Sequence, residues 1–197
     1  MGPPGHAPAR LAASLDAALA VGGIAGFVLR VDGAIQEMDG LVARAAPLQT
    51  LCAKHTTAFI VRDHLGLALE IGADGVHLGG GAGDVEATRA ALGRERILGV
   101  SCGASRDAAM VAGEQGADYV AFGDPGERPG PELYDLVRWW SELFVLPCLA
   151  EVAATVEDCA RLARAGADLV TAGAEMWTDP EGAAAAVRRL REALQAA

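Results

Sequence analysis

The sequence predicts a TIM-type (β/α) barrel on the basis of three observations. The segments "GADGVHL" at 72–78, "GADYVAF" at 116–122 and "GADLVTA" at 166–172 repeat one pattern. Seven short apolar runs alternate with helical patterns at intervals of roughly 20 to 30 residues, as in parallel sheets that are covered on both faces. No dinucleotide fingerprint follows any of these runs, which favours a barrel over a doubly wound sheet.

Each repeat is typical of a junction between a helix and a strand. Gly72, Gly116 and Gly166 suit the left-handed backbone conformation that ends a helix, and the following Ala allows close packing. The residues after each Asp are then predicted to form a strand. The four other predicted strands are "IAGFVL" at 24–29, "TAFIV" at 57–61, "RILGV" at 96–100 and "FVLPCLA" at 144–150.

Helical patterns separate the predicted strands. In "DVEATRAALG" at 84–93 and "SRDAAMVAGEQG" at 105–116, apolar residues recur three and four positions apart between a polar cap and a closing Gly. The segment "TVEDCARLARAG" at 155–166 follows the same pattern, with Thr155 and Asp158 at capping-box spacing. Three further helices are therefore expected here.

The first strand of an eight-stranded barrel is missing from this pattern. The residues before Ile24, "APARLAASLDAALAVGG" at 7–23, are helical, and residues 1–9 are predicted to be a flexible tail. We expect a single domain over residues 10–197. Either the true start lies upstream, or the barrel is open, or a neighbouring subunit closes it in a homo-oligomer.

Composition excludes several classes of partner. The formal charge of −10 and the lack of a basic block argue against nucleic acid. The longest uncharged run, 17–29, is too short for a membrane span and lacks the features of a signal peptide. The four cysteines show no C-x-x-C spacing, which fits reduced thiols in a cytoplasmic protein.

Two segments carry a resemblance to a known family. "IVRDHLGLALEIGADGVHLGG" at 60–80 and "ILGVSCGAS" at 97–105 resemble the thiamine phosphate synthase/TenI family of (β/α)8 barrels, and the likeness extends from about Ile24 to Trp177. In that family, the synthases join a pyrimidine pyrophosphate to a thiazole phosphate with the help of Mg²⁺. The TenI-like members tautomerise a thiazole carboxylate phosphate. The resemblance therefore implies a small phosphorylated heterocycle as the ligand.

The resemblance also implies site residues. Arg30 and Ser101 match residues that contact the pyrophosphate, and Asp63 matches a carboxylate that binds the metal, so Mg²⁺ is the implied cofactor. Alternatively, Asp63 caps the helix that follows it. Arg62 replaces the family's Asn beside this carboxylate and is a further candidate for substrate binding. His77, inside a strand, is interpreted as a core histidine.

Several positions depart from the family pattern. Ala82 stands where the second metal carboxylate belongs, unless Asp84 substitutes for it. The Gly-Gly that lets backbone amides approach a phosphate is replaced by Val152 and Ala153. The remaining departures are Val28 for Gln, Asp32 for Lys and Gly173 for Ser. These changes predict a degraded metal and phosphate site and argue against synthase activity.

The loop "DPGERPG" at 124–130 replaces the family's Thr-x-Thr-Lys loop, which binds the thiazole phosphate. Asp124 occupies the position of the TenI-like His and is a candidate proton shuttle, while Arg128 is the loop's cationic donor. Glu151, just after a predicted strand, is the second catalytic candidate. Its alternative is a solvated loop carboxylate.

Three functions therefore stay open. The chain is a divergent enzyme of thiamine or thiazole phosphate metabolism, a non-catalytic binding or scaffold barrel, or an unrelated isomerase or lyase on the same fold. The active forms would be a synthase-like transferase or a tautomerase-like isomerase.

Overall fold

The strands of the computed structural model form one parallel sheet. The structure describes residues 8–31, 37–80, 84–172 and 175–197. Seven strands pair in sequence order, and every neighbouring pair is parallel. They are β1 (Gly26–Arg30), β2 (Ala58–Arg62), β3 (Gly75–Leu78), β4 (Ile97–Gly103), β5 (Tyr119–Phe122), β6 (Cys148–Ala150) and β7 (Leu169–Val170). This sheet of consecutive parallel strands confirms the predicted TIM-type fold.

Helices follow the strands as the sequence pattern predicts. Those in the described residues are α1 (Pro8–Leu19), α2 (Met38–Lys54), α3 (Leu65–Glu70), α4 (Val85–Leu92), α5 (Arg106–Glu114), α6 (Pro131–Leu143), α7 (Val156–Arg164), α8 (Glu175–Thr178) and α9 (Ala183–Gln195). Asp84 and Ser105 cap α4 and α5, and Thr155 and Asp158 form the expected capping box on α7. No helix within the described ranges is long and apolar enough to cross a membrane.

The three repeats position neighbouring strands in the same way. Gly72, Gly116 and Gly166 have φ of 61°, 95° and 108°, the left-handed conformation predicted for them. The Asp that follows two residues later accepts a hydrogen bond from the first residues of the preceding strand: Asp74 from Phe59 N, Asp118 from Leu98 N and Asp168 from Cys148 N, at 2.7–2.9 Å. Each repeat therefore fixes the register of the strand that it begins.

The core lies between the sheet and its helices. Phe59, Phe122 and Trp140 are among the largest fully buried side chains, and the Trp140 indole N–H donates to the Leu146 carbonyl at 2.7 Å. All four cysteines are buried and reduced.

Part of the predicted tail at 1–9 belongs to a helix. Residues 1–7 lie outside the described residues, and α1 begins at Pro8. The single domain over 10–197, the cytoplasmic location and the absence of nucleic acid stay predictions.

The described strands form an open, curled barrel. β1 and β7 are the two edges of the sheet, and no described strand precedes α1, in agreement with the predicted lack of a first strand. A cavity of about 620 Å³ lies between these edges and extends into the barrel. Its walls are mostly apolar, but the polar side chains of His77, Tyr119 and Glu151 also line it.

Candidate functional site

A buried carboxylate lies at the carboxyl ends of the strands. Glu151 comes directly after β6 and is only 2% exposed. Its Oε1 accepts a hydrogen bond from the Arg62 guanidinium, at the end of β2, and its Oε2 accepts one from the Ser101 hydroxyl on β4, at 2.6 Å. The geometry thus brings together three of the predicted site residues, which are 39 to 89 positions apart in sequence.

Two residues that were not predicted as site residues extend this network. His77 Nε2 lies 2.8 Å from Ser101 Oγ, and His77 Nδ1 lies 2.7 Å from the Tyr119 hydroxyl. An ionised Glu151 can only accept, so Ser101 donates to it and accepts from His77 Nε2–H. The Tyr119 hydroxyl is hydrogen-bonded to the other ring nitrogen, Nδ1. We call Arg62, His77, Ser101, Tyr119 and Glu151 the inner network.

The inner network favours the ionised form of Glu151. Burial alone would raise the pKa of this carboxyl, but the contacts with His77 and Ser101 and the positive charge of Arg62 outweigh that effect and lower the pKa to about 2. Burial, together with the negative charge of Glu151, raises the pKa of Tyr119. A carboxylate with so low a pKa is poorly matched to a general base working near neutral pH.

We expect the stability contribution of Glu151 to disappear in acid. Because its pKa falls from 4.5 to about 2 on folding, the ionised form contributes about 3 kcal/mol above pH 4.5, and this is lost as the pH drops towards 2. Urea unfolding of wild type and Glu151→Gln across this range measures the difference. Glu142→Gln, on an exposed position of α6, is the control. A wild-type advantage that does not shrink in acid contradicts the assignment.

Asp63 is held in a strained position beside this network. Its φ of 54° is unusual for a residue other than Gly. Its Oδ1 accepts from Gly79 N at 2.5 Å, and its Oδ2 lies 3.4 Å from Arg62 Nε. A Cβ at position 79 would lie 2.7 Å from Asp63 Oδ2, so a larger residue there would displace this carboxylate. The alternative that Asp63 caps α3 is wrong, because His64 accepts from Leu67 N there.

The described residues do not fit a Mg²⁺ site. This ion prefers several oxygen ligands in octahedral geometry. Both oxygens of Asp63 already face nitrogen groups, and no cluster of three or more potential ligands exists among the residues that the structure describes. Asp84 caps α4 through Ala87 N. The positions of Asp32, Ala82 and Gly173, on which part of the family pattern depends, lie outside the described residues.

Arg30 lies at the rim of the barrel. It ends β1, is exposed, and pairs in register with Arg62 on β2. The two cationic residues thus lie side by side at the carboxyl ends of adjacent strands, where TIM-type barrels bind their ligands. Arg62 is largely buried and paired with Glu151. Arg30 is therefore the more accessible of the two cations.

The two predicted residues of the 124–130 loop make local contacts. Asp124 is exposed, and its carboxylate accepts from Gly126 N at 2.7 Å in a tight turn. Arg128 donates to Asp158 Oδ2 at 2.6 Å, and Asp158 is the residue that completes the capping box of α7. Neither residue has a contact with the inner network among the hydrogen bonds and ion pairs of the described chain. Their proposed roles stay predictions.

Fold and site together define a class: a parallel (β/α) barrel with polar side chains gathered at the carboxyl ends of its strands. A family model described as thiamine monophosphate synthase (TMP-TENI) matches residues 3–175, and the chain belongs to this family. The resemblance noted in the sequence is thereby confirmed.

Individual relatives agree with this assignment. A thiamine-phosphate synthase of Erythrobacter litoralis is 43% identical, over 91% of this chain and 86% of the relative. One of Rhodospirillum centenum is 38% identical, over 94% and 91%. Among solved structures, a thiamine phosphate pyrophosphorylase from Pyrococcus furiosus superposes with a TM-score of 0.80 at 22% identity, covering 94% of this chain and 89% of that one. This last likeness supports the fold.

Proposed function

We propose that the chain is a divergent member of its family that binds a phosphorylated heterocycle of thiamine metabolism and has little synthase turnover. One observation carries the proposal: the hydroxyl of Ser101 donates to Glu151 at 2.6 Å, inside the protein. A pyrophosphate that approached the Ser101 hydroxyl would lie next to the negatively charged Glu151. Repulsion between like charges in a poorly solvated site is costly, so the usual pyrophosphate contact is unfavourable.

The described residues offer no fitting metal site, and this supports the same proposal. Departure of a pyrophosphate requires positive charge to take up the developing negative charge. Arg62 is neutralised by Glu151, and the surroundings of Asp63 offer nitrogen groups rather than a second carboxylate. The exposed Arg30 is the cation best placed to hold a phosphate at the rim.

Binding and turnover should be measured separately. Calorimetry with thiazole phosphate and with thiamine phosphate is expected to show binding by the wild type and at least about a tenfold loss in Arg30→Met, the loss of one charged contact. Arg138→Met, an exposed position on α6 paired with Asp135, is the matched control. Absence of heat with both ligands, with and without Mg²⁺, contradicts the binding part of the proposal.

A turnover assay tests the second part of the proposal, the low synthase activity. Synthesis of thiamine phosphate from pyrimidine pyrophosphate and thiazole phosphate is expected to be about a hundredfold or more slower than by the Rhodospirillum centenum relative assayed in parallel, as when one electrostatic donor is removed from an active site. A comparable rate that is abolished in Asp63→Ala would show that the synthase site is intact.

A second candidate function is an isomerase or lyase that uses Asp124. The exposed carboxylate of Asp124 lies two residues after the end of β5, which favours this alternative because βα loops carry the catalytic residues of such barrels. This alternative is tested by comparing the metabolite profiles of cells that carry the wild-type protein and cells that carry Asp124→Asn. An unchanged profile counts against the alternative.

A further inference from the structure

Polar side chains from three strands surround one carboxylate in the barrel: two of them donate to it directly, and the third, His77, donates to Ser101. Arg62 and Ser101 donate to the two oxygens of Glu151, and His77 Nε2 lies 3.6 Å from Oε2. The side chains of Arg62, His77 and Glu151 are 13%, 1% and 3% exposed. A guanidinium, a hydroxyl and an imidazole that converge in a poorly solvated site are the groups that proteins use to bind oxyanions.

The arrangement differs from a surface ion pair in how its donors are held. β2, β3 and β4 carry them, and these strands are paired in a fixed register. Tyr119 contacts His77 Nδ1 and orients the ring, and Asp63 Oδ2 lies on the other side of Arg62, 3.4 Å from its Nε. Strand pairing and these neighbouring contacts, in addition to Glu151, therefore hold the donors in place, which reduces the cost of binding an anion there.

We infer that Arg62, His77 and Ser101 form an oxyanion-binding site that Glu151 fills with its own carboxylate. Glu151 acts as a tethered anion, so the centre of the barrel does not take up free carboxylates or phosphates. An anionic group of a ligand must then bind farther out, on the side of Arg30. The inference does not depend on thiamine-related ligands, because small anions alone can probe it.

Removal of the tethered anion should open the site. Glu151→Ala removes a methylene and a carboxylate, and acetate is the free molecule that matches this fragment. The thermal unfolding midpoint of Glu151→Ala is expected to rise with acetate concentration and to saturate, as binding to the native state requires. The unfolding midpoints of wild type and of Glu151→Gln, in which the space stays filled, should not change with acetate concentration. Sodium chloride at equal ionic strength and neutral acetamide are the controls.

A double variant tests whether the donors are the receptor. In Glu151→Ala with Arg62→Met, the acetate affinity should fall at least about tenfold, the loss typical of a charge-assisted hydrogen bond. The inference is overturned if acetate, chloride and acetamide move the midpoint of folded Glu151→Ala equally, or not at all. If Glu151→Ala does not fold by itself, its refolding yield from urea should be higher in acetate than in chloride, and equal yields would overturn the inference.

Discussion

Replacement of Arg62 by Met is expected to lower the free energy of unfolding by about 3–5 kcal/mol, one of the largest effects of a single substitution in this protein. The reason is the environment of its partner. Glu151 is buried and ionised, and without the guanidinium it would keep, among the described residues, the hydrogen bond from Ser101 and the proximity of His77. A buried charge that loses its partner costs far more than an exposed ion pair contributes.

Unfolding in urea, followed by tryptophan fluorescence, measures this effect. The double variant Arg62→Met with Glu151→Leu is expected to regain most of the lost stability, since apolar side chains of similar volume can replace a buried ion pair at little cost. Arg138→Met removes an exposed Arg of an ion pair with Asp135 and should change stability by less than about 1 kcal/mol. Equal losses in Arg62→Met and Arg138→Met would show that the Arg62–Glu151 pair contributes no more than an exposed ion pair.

Much of the fold follows from the sequence because the repeats encode local geometry. The left-handed Gly after each helix and the capping residues of α4, α5 and α7 act over a few positions, so a pattern in the sequence suffices to find them. The Asp of each repeat had a further role that no pattern revealed. Its carboxylate contacts the backbone of a neighbouring strand 15 to 20 positions away, and only the pairing of strands shows this.

The inner network was only partly predictable for the same reason. Arg62 and Ser101 were candidates through the family resemblance, and Glu151 was one because it follows a predicted strand, where barrels bind ligands. The contacts among these three residues depend on which side chains point into the barrel. The curvature of the whole sheet determines that orientation. His77 was expected in the core and is indeed buried. Its two polar neighbours, Ser101 and Tyr119, come from strands 24 and 42 positions later.

Close packing between strands leads to the second large effect, at Gly75. This residue follows Asp74 in the first repeat, where the other two repeats have Tyr119 and Leu169. A Cβ built on Gly75 would lie 2.2 Å from the carbonyl oxygen of Ile97, on the adjacent strand β4. That oxygen belongs to the backbone and cannot rotate away. β3 and β4 would have to separate, although this pair lies in the middle of the sheet.

Gly75→Ala is therefore expected to destabilise the protein by about 3 kcal/mol or more, the upper end for overpacking. Gly26 is the matched control, because it also lies in a strand, and its added Cβ would be at an ordinary 3.6 Å from the Ala58 oxygen. Gly26→Ala should stay within about 1 kcal/mol of wild type, since a stiffer unfolded chain offsets small losses. Urea midpoints compare the two variants. Equal stability of Gly75→Ala and Gly26→Ala would mean that β3 and β4 are not held as closely as their register indicates, and that the positions of His77 and Ser101 on these strands are less fixed than the inner network requires.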